Sequence, residues 1–382
     1  MKFQCEKSHL EAAVQTVSRA VSARPPMPIL SNILVRAEGS RVTLAATDLE
    51  TTLRSEMPAQ VEFEGACTLP SRLFSEVVGE LPDGPVRVSD VGAQTLFECR
   101  NTRFKMNSVP ADEYPSLPVP PSALTTSLPQ KLLRNALKQT AVASATSEET
   151  RAVLQGVHMT LQDTAATFVA TDGRRLAKLD LTLPTGLEGS HIAILPARAV
   201  AELQRLLKDT EEPIQFAFAG GTLYASLGAT LICARLLEGK FPNYRNLLPA
   251  SFTTTALVER ELFIASVRRA LVMAQEKQTP RLIRLNLLET TMELSSSAPD
   301  VGAASDSIPM HKSGPDMEIA FNGKFLLDGL QTLTSTEVRL KLNEPTSAAI
   351  LEPASHTQEY LYLLMPVRIQ REEPVPAGAA HG

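Results

Sequence analysis

The chain has 382 residues, of which 43% are hydrophobic and 5% aromatic, with a formal net charge of −5 at pH 7. This length suits three units of about 120–130 residues, and the apolar runs fall far short of the roughly 18 residues needed to span a membrane. The cysteines stand apart from one another and from the histidines, which argues against a zinc site: Cys5, Cys67, Cys99 and Cys233. Without a secretory signal after Met1, we expect a cytoplasmic protein.

The first predicted elements are an amphipathic helix, a strand and a second helix. The helix has an apolar stripe with helical spacing that Pro25 and Pro26 terminate: Leu10, Ala13, Val14, Val17 and Val21. Alternating residues then predict a half-buried strand over 41–45, which a turn at Thr47 and Asp48 ends. A second helix is predicted over 71–80.

The same order of elements returns twice more along the chain. Helices are predicted from Lys131 and from Glu261, and strands over 166–170 and 291–295. A turn at 171–173 repeats the turn at Thr47 and Asp48 after 124 residues. Further helices are predicted over 197–208 and 323–333.

Three segments also repeat one local pattern at an interval of 126 residues: Leu69–Phe74, Leu195–Val200 and Phe321–Leu326. Each places a basic residue, Arg72, Arg198 or Lys324, in the first turn of a predicted helix. A core face kept in phase over this distance indicates one structural unit used three times. We therefore predict an α+β fold of three similar domains, each with two helices packed on one face of an antiparallel sheet.

Proline-rich segments mark the expected domain boundaries. Pro115–Pro121 predicts a stiff linker, and Leu247–Ser251 has the same role before the third unit. The segment from Gln370 is polar and rich in Pro, Gly and Ala, as in disordered tails. The expected domains are thus residues 1–120, 125–248 and 252–369, followed by a disordered tail over 370–382.

Charge is distributed unevenly between the helices and the rest of the chain. The six predicted helices hold thirteen Lys and Arg against eight Asp and Glu, so the remaining residues carry a net charge of −10. One interpretation is a basic face that meets a polyanion. The other is that helix surfaces are simply where long charged side chains lie.

The sequence contains no recognisable catalytic or cofactor-binding motif. The histidines lack catalytic and metal-ligand spacing, and phosphate-binding loops, nucleophile elbows and metalloprotease motifs are missing. Gly220 and Gly221 lie between two strand-like segments and predict a hairpin turn. Asp172 could be a catalytic acid, but an Asx turn at the end of a strand is the preferred interpretation. We expect no cofactor, no metal and no enzymatic activity.

Five separated motifs resemble the bacterial DNA polymerase III beta subunit family, in the right order and over residues 1 to about 369. They are Arg24–Leu30 (RPPMPIL), Thr47–Glu50 (TDLE), Ala170–Ala177 (ATDGRRLA), Gly239–Tyr244 (GKFPNY) and Tyr362–Arg368 (YLLMPVR). The resemblance implies a sliding clamp: a head-to-tail homodimer that forms a ring around double-stranded DNA, with helices lining the hole. It also implies DNA polymerase III alpha, other polymerases and a clamp loader as partners, and no membrane.

The resemblance also implies three groups of site residues. Arg24 and Arg198 match positions that approach DNA in the family, and helix placement adds Arg72, Lys131, Arg134 and Lys324. A dimer interface is expected at Phe104, Met106, Val272 and Met273. An apolar pocket for partner peptides is expected at Leu154, Thr171, Gly173, Arg174, Arg175, Leu176, Pro242, Leu247, Leu363, Met365, Pro366 and Arg368, where Thr171 and Arg175 fix the peptide backbone.

Two departures from the family pattern affect the rim of this pocket. Arg174 occupies a position that is often His, and Asn246 one that is often Arg, so a different peptide preference is expected. Two other classes stay open at this point. One is a clamp-like paralogue that binds partners but does not load on DNA. The other is an enzyme on a three-domain α+β scaffold, for which the sequence offers no catalytic residue set.

Overall fold

The computed structural model describes residues 1–124, 126–147, 149–274, 281–298, 302–355 and 359–368, so the expected tail at 370–382 lies outside the described residues. The α-helices of these ranges are α1 (Lys7–Val17), α2 (Ser71–Glu80), α3 (Gln130–Ala141), α4 (Ala197–Leu206), α5 (Arg260–Met273) and α6 (Gly323–Thr332). They confirm the predicted helices with one correction. α1 ends at Val17 and a short 3-10 helix follows, so Val21 is extended rather than helical.

The described residues form 25 strands. In chain order these are β1 (Lys2–Glu6), β2 (Asn32–Glu38), β3 (Arg41–Thr47), β4 (Thr51–Pro58), β5 (Gln60–Phe63), β6 (Gly65–Pro70), β7 (Pro85–Val91), β8 (Gln94–Cys99), β9 (Thr102–Asn107), β10 (Val109–Pro110), β11 (Thr126–Pro129), β12 (Gly156–Thr171), β13 (Arg175–Pro196), β14 (Pro213–Ala219), β15 (Thr222–Leu227), β16 (Thr230–Arg235), β17 (Thr254–Glu259), β18 (Leu282–Leu287), β19 (Thr291–Ala298), β20 (Gly302–Pro309), β21 (His311–Ser313), β22 (Met317–Asn322), β23 (Glu337–Leu342), β24 (Ala349–Pro353) and β25 (Glu359–Leu364). Gly220 and Gly221 join β14 to β15 with left-handed φ angles, which confirms the hairpin turn.

The chain divides into two compact units, the first comprising 1–137, 159–164 and 183–239 and the second the remaining residues. The first unit contains a five-stranded sheet, β5-β1-β7-β8-β9, and a nine-stranded sheet, β10-β6-β2-β3-β4-β16-β15-β14-β11. In the larger sheet β4 pairs antiparallel with β16, which joins strands of the first and second expected domains.

The second unit contains a four-stranded sheet, β20-β19-β18-β22. A seven-stranded sheet has the order β12-β13-β25-β24-β23-β17-β21, and its strands β12 and β13 contribute residues to both units. Here β13 pairs antiparallel with β25, which joins strands of the second and third expected domains. The expected domain limits themselves stay a prediction.

Apolar faces of the helices pack on these sheets. The three residues that share one position of the 126-residue repeat, Phe74, Val200 and Leu326, are all buried, as are Leu81, Leu207 and Leu333. Burial of such a side chain contributes roughly 1.5–3 kcal/mol, so the repeat maintains a core. No helix of the described ranges is long and apolar enough to cross a membrane.

The linker predicted at Pro115–Pro121 has neither helix nor strand. It is nevertheless anchored, because Leu117 packs against a buried cluster that includes Leu30 and Tyr114. The second linker begins inside a short 3-10 helix, Tyr244–Leu247.

Candidate functional site

Two turns of the chain are built from the same hydrogen bonds. At Thr47–Thr51 the hydroxyl of Thr47 donates to the carbonyl of Thr51 (3.2 Å) and accepts the N–H of Leu49 (3.0 Å). Asp48 accepts two further N–H groups through Oδ1, at 3.0 and 2.7 Å. This geometry satisfies the backbone locally and ends a strand in an Asx turn.

The turn at Thr171–Arg175 repeats this pattern 124 residues later. Thr171 donates to the carbonyl of Arg175 (2.6 Å) and accepts the N–H of Gly173 (3.1 Å), and Asp172 accepts the N–H groups of Arg174 and Arg175. The preferred interpretation of Asp172 is thereby confirmed: its carboxylate accepts backbone N–H groups in an Asx turn.

Each turn also accepts a hydrogen bond from the end of a paired strand. The N–H of Arg235, the last residue of β16, donates to the carbonyl of Glu50 (2.8 Å), and the N–H of Met365, directly after β25, donates to that of Arg174 (2.9 Å). Two residues later, Leu237 and Val367 donate to the carbonyls of Ile194 and Ala320, which are 126 residues apart. One scaffold is therefore built twice in this chain.

The second copy carries a buried cation that the first lacks. The Arg175 residue is only 7% exposed, and its guanidinium pairs with Asp172 (3.0 Å) and with Asp328 of α6 (2.6 Å). Its carbon Cζ also lies 4.1 Å from the ring centre of Phe325. Arg175 and Thr171 thus have intramolecular partners, and their predicted contact with a peptide backbone stays a prediction.

Asp328 and Phe325 are not among the site residues that were predicted from the sequence. The signal that could have found Asp328 is the 126-residue repeat, which places an acidic residue, Glu202, at the same position of α4.

The end of β25 lies beside this second turn. Leu176 and Leu363 face one another across β13 and β25, and both are core residues. Gly173, Arg174, Met365 and Arg368 are exposed and Pro366 is half-buried, so the rim of the predicted pocket lies at the surface. The other predicted members are elsewhere on the chain: Leu154 ends a 3-10 helix and is half-buried, as is Pro242, whereas Leu247 is exposed.

The predicted DNA-contacting residues differ in their partners. Arg72 pairs with Glu76 (3.0 Å) and Lys131 with Glu211 (3.7 Å) on the surface. Exposed pairs of this kind contribute only about 0–1 kcal/mol, so either cation can exchange its carboxylate for a phosphate.

Arg198 is held more firmly than these two. It pairs with Asp48 and donates to the carbonyl of Ala20 (3.1 Å). Arg134 is half-buried, whereas Arg24 and Lys324 are exposed and have no ion pair within the described ranges.

The predicted interface residues lie at a sheet edge and at a helix end. β9, which carries Phe104 and Met106, is an edge strand as expected. Phe104 is half-buried, but Met106 is 2% exposed, so the expectation that a partner buries its side chain is wrong. In the last turn of α5, Val272 is 74% exposed and Met273 half-buried.

Reactive groups are scarce in the part of the chain that the structure describes. No cluster of three or more His, Cys, Asp or Glu side chains there could hold a metal ion. Burial raises the pKa of the thiols of Cys5, Cys67 and Cys233 to about 12. These thiols stay protonated at neutral pH and are poor nucleophiles.

Comparisons with known proteins match this arrangement over nearly the whole chain. Models of the N-terminal, central and C-terminal domains of the DNA polymerase III beta subunit match residues 1–118, 127–243 and 245–368. The beta sliding clamps of Synechococcus elongatus and Streptomyces coelicolor are 32% and 31% identical to the chain, each over 97% of this chain and 100% of theirs.

Solved structures agree in fold. The DNA polymerase sliding clamp of Bacillus subtilis superposes with a TM-score of 0.92 at 28% identity, over 97% of this chain and 100% of that one. The DNA polymerase III subunit beta of Pseudomonas aeruginosa gives a TM-score of 0.90 at 27% identity, over 96% and 100%.

Proposed function

The chain belongs to the DNA polymerase III beta subunit family, and from this membership we propose that it encircles duplex DNA as a head-to-tail dimer and tethers a polymerase to its template. It is a DNA sliding clamp, a processivity factor rather than a catalytic enzyme, with DNA and polymerases as partners. The observation that carries the proposal is the unit used three times. In each unit the second residue of one helix, α2, α4 or α6, is basic: Arg72, Arg198 and Lys324.

The positions of these basic residues suit contact with phosphates. The N-terminus of a helix carries a partial positive charge, and a cation in the same turn adds to its attraction for anions. Contacts to phosphates carry no sequence information, so they hold DNA without fixing a register along it. A lining of this kind, with Arg24, Lys131 and Arg134 as further members, lets the protein slide.

Processivity then follows from topology. A ring closed around DNA cannot leave sideways, so a polymerase bound to it stays at a high effective concentration near the primer end. The ring itself needs no reactive group. A clamp loader is the expected partner that opens it.

Partner polymerases, including DNA polymerase III alpha, bind by short apolar peptides at the predicted pocket. The exposed Met365 and Leu247 and the half-buried Pro242 and Pro366 offer surface to apolar side chains. Burial of one leucine and one phenylalanine contributes roughly 3–6 kcal/mol, part of which ordering of the peptide offsets. We expect an affinity on the order of micromolar for an isolated peptide.

Release upon cutting tests the ring directly. The protein is loaded on nicked circular DNA with a clamp loader, and the circle is then cut once by a restriction enzyme. We expect release after cutting, and retention when both new ends are blocked by bound streptavidin. Protein that stays on the cut, unblocked DNA as long as on the intact circle would contradict encirclement.

A further inference from the structure

The ion pair between the buried Arg175 and the half-buried Asp328 has no counterpart at the first of the two equivalent turns. The turn at Thr47–Thr51 has the same hydrogen bonds as the turn at Thr171–Arg175, but Thr51 stands where the second turn has Arg175. In the first copy the aspartate pairs instead with Arg198 of α4. The Asx turn and its strand pairing therefore form without a strand arginine.

The helix partner also differs between the two copies. Glu202 occupies in α4 the position that Asp328 occupies in α6, and it pairs with Arg205 of its own helix. Asp328 instead contacts Arg175, 153 residues earlier in the chain. In the first copy the helix therefore contacts the turn through its cation, Arg198, whereas in the second copy it does so through its carboxylate, Asp328.

Three elements converge on the Arg175 guanidinium. Asp172 lies on the turn, Asp328 and Phe325 on α6, and the hydroxyl of Tyr362 on β25 at 3.4 Å. The same hydroxyl donates to the carbonyl of Phe325 (3.0 Å). A buried cation demands partners, because an unpaired charge in the interior is costly.

These contacts surround the exposed rim of the predicted pocket. Gly173 and Arg174 lie between the two anchored residues Asp172 and Arg175, and the carbonyl of Arg174 accepts the N–H of Met365. Movement of the turn relative to α6 would displace Arg174 and Met365 together. The tie to Asp328 opposes that movement.

We infer that Asp328 is a positioning residue for partner binding: through Arg175 it fixes the turn at Gly173 and Arg174 relative to α6 and so sets the shape of the peptide pocket. The inference rests on the proposed pocket. A purely structural ion pair would alter the stability of the protein but leave the peptide affinity of the folded protein unchanged.

The test compares peptide affinity in matched variants of the full chain. Asp328→Asn removes the charge that holds Arg175, and Glu202→Gln makes the same change at the equivalent helix position, away from the pocket. A fluorescein-labelled hexapeptide with one leucine and one phenylalanine is titrated with each protein, and anisotropy is recorded well below its unfolding temperature. We expect Asp328→Asn to bind about tenfold more weakly, or about 1.4 kcal/mol, and Glu202→Gln to bind like the parent.

The conservative variant Asp328→Glu separates an effect of pocket geometry on peptide affinity from an effect on folding. Asp328→Glu keeps the carboxylate and the pairing of the buried arginine but lengthens the side chain by one methylene, so we expect an intermediate affinity.

Equal affinities for the parent, Asp328→Asn and Asp328→Glu would overturn the inference and leave the pocket intact. If the parent itself does not bind the peptide, the proposed pocket fails and the inference with it. Retention on circular DNA, which does not depend on the pocket, shows whether the clamp function survives.

Discussion

Leu49 and Gly173 occupy the same position in two equivalent turns, and both have a left-handed backbone, with φ of 79° and 86°. Glycine adopts this conformation without steric cost, whereas leucine does not. The repeated hydrogen bonds around Asp48 and Asp172 hold the conformation in both copies.

Replacement of glycine by alanine should have opposite effects on the free energy of unfolding at two positions, Gly173 and Gly79. A Cβ at Gly173 would meet no atom within 4 Å, so Gly173→Ala costs only the conformational strain of a positive φ, about 1 kcal/mol. Gly79 lies within α2 and is equally open, so Gly79→Ala should raise the free energy of unfolding by about 0.5–1 kcal/mol. Urea unfolding of both variants checks this, and a stabilised Gly173→Ala would contradict the turn geometry.

The helices and the Asx turns could be predicted because their signals are local. Helical spacing of apolar residues, a proline stop and a threonine–aspartate pair each act within a few residues. Val21 shows the limit of such a pattern: its spacing continues the helical stripe, but the chain changes to a short 3-10 helix before reaching it.

The contacts of Arg175 and the burial of Met106 could not be predicted in this way. Arg175 and Asp328 are 153 residues apart, and only the fold brings them together. In β9 side chains alternate between the two faces of the sheet, so Phe104 and Met106 share the face that packs on the core. The apolar character of Met106 reflects that core, whereas the interface role of the half-buried Phe104 stays a prediction.

A charge at Val272 should separate the dimer. Val272 is exposed in this chain, so Val272→Asp costs little folding stability. If a partner covers it, the introduced charge loses its water and has no ion to pair with. We expect monomers at nanomolar concentration by analytical ultracentrifugation. Val119→Asp, at an 81% exposed site, is the control and should stay dimeric; a dimeric Val272→Asp protein would exclude this residue from the interface.

Shortening the chain should separate DNA encirclement from polymerase binding. A chain that ends at Leu364 loses the hydrogen bonds of Met365 and Val367 and one wall of the pocket. We expect it to form a dimer and to load on circular DNA. We do not expect it to increase the length of the DNA strands that a polymerase synthesises. The matched chain that ends at Arg368 keeps both hydrogen bonds and should support synthesis. Processive synthesis with the shorter chain would contradict the pocket assignment.

His158 should make folding sensitive to acid. Burial lowers the pKa of its imidazole from the ordinary value of 6.5. The ring stacks on Phe241, with 4.7 Å between the ring centres, and its buried Nδ1 has no hydrogen-bond partner among the described residues. The unfolded chain therefore binds a proton more tightly than the folded one, so stability is lost as the pH falls through about 6.5.

His158→Phe keeps the stacked ring and removes the titration. Between about pH 7.5 and pH 5.5 the variant should lose less of its free energy of unfolding than the parent does, measured by urea unfolding at both pH values. The exposed His311→Gln serves as the control and should lose as much as the parent. A loss in His158→Phe as large as in the parent would exclude this role of His158.

Retention in high salt tests the central claim, topological binding, most directly. Ordinary contacts to phosphates weaken steeply as salt rises, because each contact releases counterions. A closed ring on a closed circle has no route of dissociation except through its own interfaces. After loading and a wash in about 1 M salt, where charges are screened within about 3 Å, we expect the protein to remain on circular DNA and to leave linear DNA of the same sequence. Equal loss from both would contradict a sliding clamp.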